Sequence, residues 1–473
     1  MPESERQQVV DGAKYIRGVR PIDPEEIATY VEGGAHPGVV ARILRDAATD
    51  LDLVERADGT FVPVPEEPLT PSFDGVGGFP ATYADAFEER LRDTYGPDWH
   101  TGDTGDAIRE RIRRLKTDYY WRNDVAYDED VALAYACYHL PDTYAAVSYA
   151  LDELGRDGLL DRRLRVLDVG AGVGGPALAV NDYVLGGAGD PEREALVEYD
   201  AVEPSDAAAV LEDLLPETGP NFHSTVHRET AEDFEPSGEY DLILFANVLN
   251  ELDAPADTAA RYLDALADDG TMLAVAPADK ETSIALRQAE RTIADERGAA
   301  TIYAPMPRFW SAQAPTDRGW SFDERPALDA PAFQERLAAD TEDPGAVLRR
   351  AVRYSWTALR TDGRRRFDIS LTRGRAAPLA ESDRHVTDRV DFVVAKASHD
   401  LSEGDGHPLF KVSDGSEDTE HYAVLVDSTA LNRLLADAGY GDPLLVENAL
   451  VLWNDDEEAY NLVVDGETVV DPA

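Results

Sequence analysis

The residues with the most chemical content lie in Val166-Leu-Asp-Val-Gly-Ala-Gly-Val-Gly-Gly175, an apolar run that ends in a carboxylate and opens into a glycine turn. Glycines let a backbone approach a ligand closely, and a helix starting just beyond offers free N–H groups and the positive end of its dipole. Gly170, Gly172 and Gly175 also satisfy the G-x-G-x-x-G spacing of dinucleotide sites. Asp168 argues against that reading. It puts a carboxylate two residues before the first glycine, where dinucleotide sites usually carry an apolar residue, and nothing else in the chain suggests hydride transfer. A carboxylate there suits a cationic ligand head. A second acid, Glu203, ends the predicted strand Tyr199-Asp-Ala-Val-Glu203, 35 residues after Asp168, where it can take ribose hydroxyls.

The pattern Asp168-x-Gly170-Ala171-Gly172-x-Gly174 resembles motif I of class I methyltransferases, with Glu203 as the ribose acid. That resemblance implies S-adenosylmethionine as cofactor. Thr230-Ala-Glu-Asp-Phe234 follows the third predicted strand, where such domains hold the adenine, so Glu232 or Asp233 could accept from its amino group. Chance also produces short acidic loops readily in so acidic a chain. The segment Tyr240-Asp-Leu-Ile-Leu-Phe-Ala-Asn-Val-Leu-Asn-Glu-Leu252 supplies the fourth strand and the loop beside the methyl donor. Asn247 and Asn250 fall where the sulfonium end would lie, and each would serve equally as a cap or turn residue.

No residue declares itself as catalytic. The only cysteine, Cys137, lies in a predicted helical region, reads as a buried apolar residue, and excludes an intrachain disulfide or a multi-cysteine metal site. No Asn-Pro-Pro-Tyr-like clamp follows the fourth strand, and no His–Asp pair near it offers a base. His223 and His227 have ligand-like spacing, but four residues apart on a strand they stand too far from each other to share an ion, so no metal is expected. Methyl transfer by proximity and alignment needs no base, so catalysis stays open and the acceptor unknown.

The elements that must position these residues follow from periodicity. Residues 164 to about 360 alternate strand and helix, with strands predicted at 164–169, 199–203, 223–227, 240–246, 271–276, 300–305 and 353–360 and helices such as Pro255–Ala267 and Glu281–Glu296. The fold class expected is α/β, a seven-stranded Rossmann-like methyltransferase sheet with residues 310–345 inserted before a last, antiparallel strand. Residues 22–66 read as helix, helix and a hairpin around Asp58-Gly59, either a winged-helix module or a plain helical cap. After residue 386 come three strands, a helix at Ser428–Ala438 and two strands, the order of an OB-type barrel or of another small antiparallel sheet. The domains expected are a winged-helix-like module at 1–75, a helical region at 76–160, the methyltransferase domain at 161–375 and an OB-like β domain at 381–473.

Several segments together look like one family: Leu140-Pro-Asp-Thr-Tyr-Ala-Ala-Val147, the glycine turn, Asn247-Val-Leu-Asn-Glu-Leu252, Ile302-Tyr-Ala-Pro-Met-Pro307 and Tyr354-Ser-Trp-Thr-Ala-Leu359. Across roughly residues 105–375 the chain is similar to the methyltransferase-like proteins of the small ribosomal subunit of bacteria, archaea and mitochondria. The resemblance implies ribosomal RNA or the assembling small subunit as partner. Family members often carry cysteines that bind an iron–sulfur cluster, one of them in an Ala-Pro-Cys-Pro context. Met306 stands at that position here, so no iron-sulfur cluster is expected.

The 473 residues carry 94 acidic against 44 basic side chains, a net charge of −50. Only five of the bases are Lys, and the acidity is spread along the whole chain. Such self-repulsion is relieved when salt is molar and the screening length falls to about 3 Å, so the composition reads as adaptation to a high-salt cytoplasm. No apolar signal core and no run of 18 apolar residues occurs, so a cytoplasmic protein without membrane partners is expected. Two segments run against the charge. Residues 109–122 hold six basic and two acidic residues and end in Tyr119-Tyr120-Trp121-Arg122; residues 359–375 hold six arginines and two aspartates. They suit RNA backbone contact with stacking, or ion pairing with the abundant carboxylates. Residues 381–473, with 22 acidic and 5 basic side chains, offer phosphate less. The leading expectation is an S-adenosylmethionine-dependent methyltransferase acting on ribosomal RNA or in small-subunit assembly; the alternatives are a non-catalytic assembly or RNA-binding factor and a small-molecule methyltransferase.

Overall fold

The computed structural model describes residues 3–70, 72–121, 123–186, 193–348, 351–402, 404 and 406–473, so Arg122 of the first basic segment lies outside the described residues. The chain forms two compact units, residues 1–246 with 327–350 and residues 247–326 with 351–473.

The first unit opens with α1 (Glu3–Ile16), α2 (Pro24–Tyr30), α3 (Pro37–Asp46), the short α4 (Ala48–Leu51) and the hairpin β1 (Leu53–Glu55) and β2 (Phe61–Pro63). Proline begins both α2 and α3, where its missing N–H is no loss, and Asp23 caps α2 by accepting from Glu25 N at 2.8 Å. Gly59 takes φ +80° in the hairpin turn, as the Asp58-Gly59 pair requires. Ile22 bridges Phe61 antiparallel, adding a third short stretch to the hairpin. Val9 and Ala13 of α1 join Ile27, Val40, Leu44 and Phe61 in one core, so the module needs α1, a helix outside the 22–66 expectation.

Three longer helices follow: α5 (Ala81–Tyr95), α6 (Gly102–Trp121) and α7 (Glu129–Arg156). Then come β3 (Arg163–Val169), α8 (Gly175–Leu185), β4 (Leu196–Val202), α9 (Ala207–Leu214), β5 (Phe222–His227) and β6 (Tyr240–Ala246). These four strands are parallel in the order β5-β4-β3-β6, so their carboxyl ends share one edge. Helix α7 packs on α8 and α9.

The second unit contains α10 (Pro255–Tyr262), β7 (Leu266–Pro277), α11 (Lys280–Arg291), β8 (Thr301–Ala304) and the short β9 (Asp323–Arg325). The chain returns to the first unit for α12 (Ala332–Ala339), then supplies β10 (Val352–Arg360) to the second. Strand β10 is antiparallel to β7, β8 and β9. The α/β core therefore holds mixed strands, as a methyltransferase sheet does, and β9 is an addition to the seven expected. Helix α10 ends five residues short of the expected Ala267, and β7 already begins at Leu266, with Asp268 and Asp269 exposed within it.

The rest of the second unit is β11 (Arg389–Lys396), β12 (Leu409–Ser413), β13 (His421–Leu425), α13 (Leu434–Asp437), β14 (Pro443–Asn454), β15 (Ala459–Val464) and β16 (Val469–Pro472). Its strands run β11-β12-β13-β15-β14, and β14 pairs back to β11, closing a five-stranded barrel to which β16 adds an edge. Strands β13 and β15 are parallel. The barrel is filled by alternating apolar side chains such as Phe392, Val394, Phe410, Val412 and Val446. The helix expected at Ser428–Ala438 shrinks to α13. Asn432 explains this: its side chain donates to Asp427 O and Asp465 O at 2.9 and 2.8 Å and accepts from Thr429 N, competing with helical bonds over those turns.

Candidate functional site at the carboxyl ends of β3 and β4

Strands β3 and β4 pair in register with Asp168 opposite Ala201 and Val169 opposite Val202, so Asp168 and Glu203 stand at adjacent strand ends. The turn between β3 and α8 is pinned to β4: Gly170 N and Ala171 N both donate to Val202 O, at 2.8 and 3.1 Å. Its glycines do different work. Gly170, Gly172 and Gly174 all take positive φ, which other residues adopt at a cost. A Cβ on Gly174 would lie 2.8 Å from Leu211 Cδ1, and one on Gly175 would lie 3.0 Å from Thr143 Cβ, so these two exist to let α9 and α7 approach. At Gly172 a Cβ would meet only Gly170 O, at 4.0 Å. That open face is where a ligand can lie against the turn.

Asp168 is completely buried. Its Oδ2 accepts from the Tyr199 hydroxyl at 2.7 Å, while its Oδ1 is buried with no hydrogen-bond partner. Burial pushes the carboxyl up to about 7; the Tyr199 hydroxyl works against this and the nearby Glu203 reinforces it. A carboxylate held dry with one oxygen unsatisfied has a partner missing, and an ammonium group supplies it. Glu203 Oε2 accepts from Gly172 N at 2.9 Å, and its Oε1 accepts from Ser205 N and Oγ at 2.9 and 2.5 Å. These bonds aim the carboxylate at the turn and leave lone pairs for two hydroxyls. The donor set thus fits S-adenosylmethionine: an acid for the ammonium, a bare glycine peptide for close approach, and an acid for the ribose.

Glu232 and Asp233 lie beyond β5 at the same edge of the sheet, and both are exposed. The Asp233 carboxylate accepts from Thr230 Oγ1 at 3.0 Å within the loop. Ala231 before them and Phe234 after them are buried, the latter with its ring 4.8 Å from His227. Asn247 follows β6 in the second unit with φ +61°, its N–H donating to Val275 O at 2.8 Å. That left-handed geometry makes it a turn former, one of the two roles its position allowed. Asn250 is exposed in the same loop. His223 and His227 both lie on β5, and His227 Nε2 meets Asp200 Oδ1 at 2.8 Å. Cys137 is buried in α7, where burial pushes its thiol far up.

Sequence reasoning missed Tyr199 and Ser205. Alternation along β4 puts residues 199, 201 and 203 on one face, a signal that could have linked Tyr199 to the acid site. Much of the two basic segments is engaged in ion pairs, one of the two readings their composition allowed. Arg109 is buried, bonded to Asp106, Leu337 O and His100 O, and Arg360 is buried against Asp362 and Thr271. Arg111, Arg113 and Arg373 pair with Asp130, Glu110 and Glu381. Arg114 stays 82 % exposed, 3.7 Å from Asp118.

Residues 140–328 match a family model described as a methyltransferase domain. Residues 6–57 and 380–473 match the N-terminal and C-terminal domains of DUF8157, a domain of unknown function. The chain therefore carries a class I S-adenosylmethionine-dependent methyltransferase domain. No curated protein matches the sequence. Among solved structures, a plantazolicin methyltransferase, BamL, in complex with a substrate analogue and SAH is similar at 10% identity, covering 59% of this chain and 98% of its own, with a TM-score of 0.30. A magnesium protoporphyrin IX methyltransferase from Synechocystis PCC 6803 with bound SAM is similar at 16% identity over 43% of this chain and 89% of its own, TM-score 0.27. The cyclase SpnF is similar at 16% identity over 61% and 99%, TM-score 0.29. Among the described residues no helix is long and apolar enough to cross a membrane.

Proposed function

We propose that this protein transfers the methyl group of S-adenosylmethionine to RNA, with ribosomal RNA of the assembling small subunit as the acceptor. The observation that carries the cofactor half is the dry Asp168 carboxylate with its unsatisfied Oδ1 beside Gly172 and Glu203. When bound, S-adenosylmethionine supplies a methyl group on a positively charged sulfur, which an electron-rich acceptor atom can take directly. Asp168 would hold the ammonium, Glu203 the ribose hydroxyls, and Glu232 the adenine amine. These residues orient the donor; the acceptor brings its own lone pair, and alignment supplies most of the rate.

The RNA half rests on the flanking modules and on the sequence resemblance to small-subunit proteins. The order helix, bridging residue, two helices, the one-turn α4 and hairpin in residues 3–63 resembles that of a winged helix. The barrel ring β11-β12-β13-β15-β14, with α13 between its third and fourth strands, has OB-type connectivity. Both are architectures that often bind nucleic acid, which is support by analogy of fold. The test is methyl transfer from donor labelled in its methyl group, in molar potassium chloride, to small ribosomal subunits and to their naked RNA. Label in RNA, lost in Asp168→Asn, is expected. Label appearing only on added small molecules, or subunit maturation that proceeds unchanged with Asp168→Asn, would overturn this reading in favour of a small-molecule enzyme or a non-catalytic factor.

A further inference from the structure

The barrel carries an apolar face on its outside. Alternation sends Phe410, Ala423, Leu462 and Val451 into the core, so the residues next to them in each strand point outward. Register lines these up: Leu409 lies opposite Val424, Val424 opposite Val463, and Val463 opposite Leu450. With neighbouring strands about 4.8 Å apart, the four make an unbroken apolar stripe roughly 14 Å long across β12, β13, β15 and β14. Tyr422 and Leu452 stand in the next row, both opposite Asn461. All six are half-buried or exposed, Leu452 at 37%. The outer face of an antiparallel sheet is ordinarily polar, so this stripe breaks the expected alternation.

Its surroundings are acidic at both strand ends. At one end Trp453, 39% exposed, meets the Tyr460 ring at 4.8 Å, and the turn that follows is Asp455-Asp456-Glu457-Glu458, exposed throughout. Burial, and after it the charges of Asp383 and Asp418, hold the Tyr460 hydroxyl above its ordinary pKa, which puts two more exposed carboxylates beside these rings. At the far ends of β13 and β15, Asp427 and Glu467 are exposed. Few cations answer them. Of the five bases in residues 381–473, Lys396 and Lys411 are buried, and Arg384 and Arg389 pair with Glu381 and Asp465.

We propose that this face docks a basic segment of a partner protein, laid along the strands with apolar side chains on the stripe and cationic ones at both acidic ends. Trp453 and Tyr460 offer a cation their ring faces, with carboxylates alongside. Apolar burial persists in molar salt, where only charges in direct contact still act, so the stripe supplies affinity and the acids select the sign. The same acids repel the phosphates of RNA, and a second copy of the chain brings a net charge of −50 to the contact. The inference does not depend on the methyl acceptor: the barrel shares its shape with nucleic-acid binders but not their charge.

The test is fluorescence anisotropy of the full chain in molar potassium chloride with a labelled peptide carrying arginines on both sides of Leu-Val-Leu. Saturable binding is expected, weakened about tenfold or more by Leu452→Ser, by the combined Asp456→Asn, Glu457→Gln and Glu458→Gln, and by glutamates in place of the peptide's arginines. All four substituted positions are exposed, and an unchanged melting temperature confirms that each variant folds. Absence of saturable binding, or wild-type affinity in both variants, would overturn the proposal. Displacement of the peptide by a single-stranded oligoribonucleotide would overturn it in favour of RNA. A concentration-dependent dimer lost in Leu452→Ser would overturn it in favour of a second copy.

Discussion

Asp168 concentrates the chemistry of the site in one carboxyl group. Its pKa of about 7, raised by burial, makes its charge depend on pH in the neutral range. Only the carboxylate pairs with an ammonium, so affinity for S-adenosylmethionine should rise several-fold between pH 6 and pH 7.5, and calorimetry across that range checks it. Stability runs the other way. A carboxyl whose folded pKa lies above its unfolded value of about 4 costs the ligand-free fold stability progressively as pH rises towards 7. Asp168→Asn, which keeps an acceptor for Tyr199 and carries no charge, should therefore melt higher than wild type at pH 8 without ligand, while losing at least tenfold in cofactor affinity. A lower melting temperature would show that the charge is compensated in some other way.

At the scale of elements, the glycine turn divides into residues that serve packing and one that serves the ligand. Gly175→Val would push Thr143 of α7 away from α8 and should cost roughly 1–3 kcal/mol, as overpacking does, read as a lower midpoint in denaturant. Gly172→Ala meets nothing in the fold but sits at φ +54°, so it should cost about 1 kcal/mol of stability and far more in cofactor affinity. What made β3 and β6 legible in the sequence was the near-continuous apolar character of strands buried on both faces, whereas β4 carries two acids and the edge strand β5 is mostly polar. The glycine turn and Glu203 were readable because each ends a strand. Tyr199 was hidden because its role depends on which face of β4 meets Asp168. Helix α13 came out shorter than its periodicity implied because Asn432 bonds the backbone itself.

Over the whole molecule, charge governs the conditions under which any of this can be seen. With 94 acidic side chains, only part of the repulsion is offset by arginines such as Arg109 and Arg360, which are spent inside ion pairs. The melting temperature should rise steeply as potassium chloride is raised from about 0.1 M, where the screening length is about 10 Å, towards 1 M, where it is about 3 Å. A flat profile would mean that the carboxylates are compensated locally. Assays of the site therefore belong in high salt. The most direct test of the central claim is calorimetric titration of the full chain with S-adenosylmethionine in molar potassium chloride, alongside Asp168→Asn and Glu203→Gln. Saturable one-to-one binding, weakened at least tenfold in each variant, is the predicted result; a wild-type protein that takes up no S-adenosylmethionine would contradict it.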